Sequence, residues 1–164
     1  MANSSIIGKV KNKIIKEFIK DEEIINAIGA QCDSSPEELV GTHIFNYHQN
    51  PNTITTVKTF ITIQVHIPQS FDRRAGSTYV NPTIEIWIIS QDTHMKVDNV
   101  PKINVNRNDY LSNLIDKKLN GRSDFGIGEV TLQSNIEGSY QKDYLYRQMI
   151  FKCTDLNDSL CRDE

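Results

Sequence analysis

The chain has 164 residues and a mass of 18.7 kDa, 38% hydrophobic and 24% charged. This balance excludes disordered and fibrous classes and suits one domain with a sizeable core. The formal net charge is -3, from 18 basic and 21 acidic residues, which argues against a dedicated nucleic-acid binder with its basic excess. Ile outnumbers Leu 22 to 8 and Asn outnumbers Ala 15 to 4. Ile favours strands and Ala favours helices, so the skew points to a sheet-rich fold.

Residues 4–20 read as an amphipathic helix, with Ile6, Ile7, Val10, Ile14, Ile15, Phe18 and Ile19 at spacings of three and four and five lysines on the other face. Ser4 or Ser5 is the expected cap. A second helix, Glu22–Ile28, starts at an Asp21 cap and stops at Gly29. The interruption of the N-terminal apolar residues by lysines excludes a signal-peptide core there, and no run reaches the roughly 18 apolar residues of a membrane span. Ser35-Pro36-Glu37-Glu38 suits a single helical turn. His43–Tyr47 is a short strand and Thr55–Pro68 a long one, alternating from Val57 to Ile67 against Lys58 to His66. Thr83–Ser90 is a central strand expected to pair with it. Between these two lies Gln69–Pro82, read as a long loop without regular structure and, by its length, as either functional or disordered.

After an Asn-rich connection (92–106), Asn108 is the expected cap of a helix from Asp109 to Asn120, closed by Gly121. Gly126 and Gly128 flank a bend into a strand Ile127–Ser134. A turn at Glu137-Gly138-Ser139 then leads to a strand Asp143–Cys153. The expected fold is therefore α+β: a mixed or antiparallel sheet of four to five strands, packed by an N-terminal helix and a helix at 109–120. The chain reads as a single domain over 1–164, with N-terminal helices at 4–28, a sheet-and-helix core at 42–153 and a polar tail at 154–164.

Chemistry-bearing constellations are sparse. His43, His48, His66 and His94 have no zinc-enzyme spacing, although a folded sheet could bring His66 and His94 together. Cys32, Cys153 and Cys161 match no paired metal or redox pattern and read as reduced thiols. A GxSxG elbow is lacking; Gly126-Ile127-Gly128 is too short for a phosphate loop; Asp155, Asn157 and Asp158 lack the Gly and Glu of a calcium loop. No catalytic, cofactor-binding or metal-ligating residue is expected. The most suggestive polar feature is the pair Arg73-Arg74 in the long loop, since guanidinium forks suit carboxylates on a partner surface. Asp72, Arg73, Arg74, Ser77 and Tyr79 are the expected interaction residues.

The run from Asn108 to Gly121, continuing into Asp124-Phe125-Gly126-Ile127-Gly128, and the strand Tyr146-Arg147-Gln148-Met149-Ile150-Phe151 carry a resemblance. With the order of elements, they resemble the small α+β neck proteins of tailed bacteriophages, the tail-terminator or tail-completion group. That resemblance implies a non-enzymatic structural protein of the virion neck, assembled in the bacterial cytoplasm. It implies a homo-oligomeric ring, typically hexameric, that caps the tail tube and joins it to head connector or adaptor proteins. It also implies that DNA passes through without specific binding, and that neither a membrane nor a cofactor is involved. The loop 69–82 would then reach a neighbouring subunit or the tube. A small protein-binding or regulatory module of phage or bacterial origin, acting as monomer or dimer, is the alternative. An enzyme with a site assembled from distant residues is the third reading.

Overall fold

The computed structural model describes residues 4–29, 35–54, 58–67, 71–73, 77–79, 81–97 and 105–154. Helix α1 (Ser5–Phe18) buries Val10, Ile14, Ile15 and Phe18, the stripe its spacing predicts. Helix α2 (Glu22–Ile28) begins where the Asp21 carboxylate accepts from the backbone N–H of Glu23 and Ile24, and ends at Gly29 with φ +76°. The left-handed end needs glycine. A 3-10 turn follows at Pro36–Leu39.

The strands are β1 (Ile44–Phe45), β2 (Thr59–His66), β3 (Phe71–Arg73), β4 (Ser77–Tyr79), β5 (Thr83–Gln91), β6 (Glu129–Tyr140) and β7 (Tyr144–Thr154), with α3 (Arg107–Leu119) between β5 and β6. Five strands form one sheet in the order β1-β2-β5-β7-β6. β1 runs parallel to β2 and every other pair is antiparallel, so the sheet is mixed. β2 and β5 pair from Thr59 with Ser90 to His66 with Thr83. The fold is α+β, as the sequence predicts.

Strand alternation sorts the sheet into two faces. Ile61, Ile63, Val65, Ile84, Ile86, Ile88, Met149, Phe151 and Cys153 are buried with the apolar stripes of the helices in one main core. Each such Ile contributes on the order of 1.5–3 kcal/mol through burial. On the opposite face a smaller cluster of Phe45, Ile54, Phe60 and Ile89 is fringed by half-buried Trp87, Tyr144 and Tyr146.

The strands β1 and β2 are shorter than expected and β6 starts two residues later, and three further features depart from expectation. Asn106, not Asn108, caps α3: its side chain accepts from the Asp109 N–H. β6 does not end at Ser134; it continues to Tyr140, and the turn lies at residues 141–143, with Gln141 at φ +57°. Residues 69–82 are not wholly irregular, because β3 and β4 pair as a two-stranded antiparallel sheet of their own.

Candidate interaction surface

The ribbon β3–β4 holds most of the expected interaction residues. Asp72 is in register with Thr78, Arg73 with Ser77, and Phe71 with Tyr79. Four of the five expected residues, Asp72, Arg73, Ser77 and Tyr79, are thus carried by one pair of strands, while Arg74 lies outside the described residues. The ribbon is separate from the five-stranded sheet.

The face of the sheet away from the helices carries a polar and aromatic array. Glu85 is its hub: Oε1 accepts from Trp87 Nε1 at 2.7 Å and Gln148 Nε2 at 2.6 Å, and Oε2 lies 2.9 Å from His66 Nε2. Partial burial opposes ionisation, yet these hydrogen bonds outweigh it and hold the Glu85 carboxyl below its ordinary value. Tyr146 stacks obliquely on Trp87, with ring centroids 4.7 Å apart, and the His48 ring meets Trp87 edge-on at 5.6 Å. Tyr47 and Ile136, each more than half exposed, stand near the rims of this array.

Beside it, at the junction of α3 with the β6–β7 hairpin, is a cleft of about 440 Å³. Arg147 donates Nε to Asp109 Oδ1 at 2.6 Å and Nη1 to Asn135 Oδ1 at 3.1 Å, and Nη2 lies 3.5 Å from Glu137 Oε2. The other Asp109 oxygen accepts from Asn106 Nδ2 at 2.8 Å. One guanidinium between two carboxylates leaves the cleft with an excess of negative charge, which suits a cationic partner group better than an anion.

β6 is one edge of the sheet. The outward groups of its first half are occupied: Val130 accepts from the Gly121 N–H and donates to the Arg122 carbonyl, and the Leu132 N–H donates to Asn120 Oδ1. The register shifts between Leu132 and Ser134. From Ser134 to Tyr140, among the described residues, no backbone bond is made on the outer side. At the opposite edge β1 has two residues, and the Ile44 carbonyl accepts from the Gly41 N–H.

The histidines do not converge. His66 contacts Glu85, whereas His94 Nδ1 lies 2.8 Å from Thr59 Oγ1, at the opposite end of β2. His43 is half-buried, and its burial pushes the imidazole pKa down. No group of three His, Cys, Asp or Glu positioned to hold a metal occurs among the described residues. Cys153 is buried in the core, and Cys32 and Cys161 lie outside the described residues. No described helix is long and apolar enough to cross a membrane.

Sequence reasoning overlooked the Glu85 hub and the cleft. Its signal was the alternation of Glu85 and Trp87 with buried isoleucines, and of Tyr144, Tyr146 and Gln148 across the paired strand, which reads as a tailored second face rather than a plain solvated one. No curated protein matches the chain. The YomW family profile matches residues 12–153, from within α1 to within β7, and the family carries a name of the phage-gene type. The chain therefore belongs to the YomW family and is a phage-associated protein.

Proposed function

We propose that the chain is a structural phage neck protein of the tail-terminator type. It acts by assembly rather than catalysis, forming a ring, hexameric by resemblance, that caps the tail tube and meets the head connector in the virion. The observation that carries this reading is the β3–β4 ribbon. β2 and β5 are adjacent antiparallel partners, and a turn of roughly two to five residues suffices to join such strands. The chain instead uses residues 67–82 and forms a second small sheet there. That excursion is unnecessary for closing the main sheet and suits an arm making the heterologous, head-to-tail contacts of a ring. Membership in a phage-associated family supports the setting. The net charge of -3 suits a conduit that does not grip DNA.

Native mass spectrometry and negative-stain microscopy, on the protein alone and with tail tubes, test the reading. Closed rings, seated at tube ends when tubes are present, are expected. A strictly monomeric protein under both conditions overturns it, and a monomer or dimer binding one defined partner favours the smaller binding-module reading.

A further inference from the structure

We propose that the outer edge of β6 from Ser134 to Tyr140 is the surface on which a second copy of this chain docks, adding its β3–β4 ribbon as further strands of the sheet. The identification of the ribbon as an arm rests on the ring-forming reading; the character of the edge does not.

Sheet edges are normally protected, because unpaired N–H and C=O groups invite another strand. Here protection is uneven. The first half of β6 is closed off by Asn120, Gly121 and Arg122, and the β1 edge is only two residues long. The second half of β6 has no outward backbone partner among the described residues. Ser134-Asn135-Ile136-Glu137-Gly138-Ser139-Tyr140 contains neither lysine nor proline, and Glu137 is its single charged residue. Ile136 within it is 54% exposed, an apolar side chain presented beside open backbone groups. The bulge at Leu132/Ser134 marks the boundary between the closed and open halves.

Charge selects the occupant. The open segment carries Glu137 and no cation, and its side chain is 74% exposed. With Asp109 and Arg147 it forms the cleft with excess negative charge. Residues 69–82 carry Arg73 and Arg74 against Asp72, a net positive segment. An isologous pairing of two β6 edges would bring acidic segments together and close as a dimer. Ribbon on edge brings opposite charges together and leaves the pair with one free arm and one free edge, as a growing ring needs.

The test is a charge exchange read by sedimentation velocity and native mass spectrometry. Glu137→Lys and Arg73→Glu are each expected to weaken self-association by about tenfold or more, and the double variant to restore it. Ile136→Lys, which leaves the Arg147 ion pairs in place, is expected to abolish assembly with an unchanged far-ultraviolet spectrum. Rings that persist in both single variants and in Ile136→Lys overturn the docking edge while leaving the ring itself standing. A dimer sensitive to Glu137→Lys but not to Arg73→Glu overturns the ribbon as occupant. Non-ring oligomers that pass the charge exchange uphold the docking contact and overturn the tail-terminator reading. A wild-type protein that stays monomeric while binding tail-tube protein overturns the proposal, since the edge would then serve a different partner.

Discussion

Asn106 lies in extended backbone just before α3, and its side-chain oxygen accepts from the Asp109 N–H 2.8 Å away, which is ordinary helix capping. Two residues on, Asn108 is almost fully buried and joins three elements: its Oδ1 accepts from Ser90 Oγ at 2.6 Å, and its Nδ2 donates to the Leu145 carbonyl at 3.1 Å. Ser90 in turn accepts from Thr59 Oγ1 at 2.9 Å. The two asparagines are indistinguishable in sequence, and local chemistry alone assigns the cap to the wrong one. Their energetic roles separate them. Asn106→Ala removes a cap and costs about 1 kcal/mol. Asn108→Ala strips partners from a buried hydroxyl and a buried carbonyl at once and costs about 2–4 kcal/mol. Urea denaturation of the two variants decides between these roles; equal losses would contradict the buried relay. Arg107, between them, is 3% exposed and donates to the carbonyls of His94 and Lys96 at 2.6 Å and to that of Ala27, fastening the end of α2 to the start of α3. Nothing local in the sequence marks it, because its partners lie 11 to 80 residues away.

Elements whose boundaries depend on their own residues were legible in the sequence. The Asp21 cap and Gly29 terminus place α2 to the residue, and period-two alternation places β2 and β5 in the right pair. Elements whose limits depend on distant partners were not. The short strands of the ribbon sit in a polar stretch with no alternation to read. Glu137-Gly138-Ser139 carries the chemistry of a turn, yet Gly138 lies within a strand because the Tyr146 ring crosses it. A Cβ built at Gly138 would stand 2.5 Å from Tyr146 Oη and 2.6 Å from Cζ. A ring laid over a glycine on the neighbouring edge strand shields the backbone that the missing side chain exposes. Gly138→Ala is therefore expected to push Tyr146 off β6 and disturb its stacking on Trp87. Because Trp87 is the only tryptophan, its emission should shift and the protein should lose about 1 kcal/mol. Gly8→Ala in α1, where nothing lies within 4 Å of the added carbon, should instead gain up to about 1 kcal/mol with unchanged emission. An unshifted spectrum in Gly138→Ala would remove the account of why β6 is long.

Across the molecule, three carboxyls among the described residues are held below their ordinary values at three separate junctions. At Asp21, burial opposes ionisation, but the Lys118 ammonium at 2.8 Å and the N–H groups of Ile24 and Glu23 prevail, tying α2 to the end of α3. At Asp124 the Arg122 fork and Lys13 act together, tying α1 to the segment between α3 and β6. Glu85 ties β5 to β2 and β7. A depressed folded-state value means that the unfolded chain binds the proton first, so the stabilisation is complete above the ordinary values of 3.8 and 4.5 and is lost as pH falls below them. The three contributions are unequal. The Asp124 side chain is half exposed and its ion pairs are screened, so they add little, whereas Asp21 is 13% exposed and also caps a helix. Melting temperature should therefore form a gently declining plateau from pH 7 to about 5, because the unfolded chain protonates His43 before the folded one does, and then fall steeply as Asp21 and Glu85 are protonated. In Asp21→Ala the plateau should be lower and the acid slope shallower, while Asp124→Ala should follow the wild-type curve closely. An unchanged acid slope in Asp21→Ala would place the proton-linked stability elsewhere and demote the α2–α3 junction from its role in joining the helical layer.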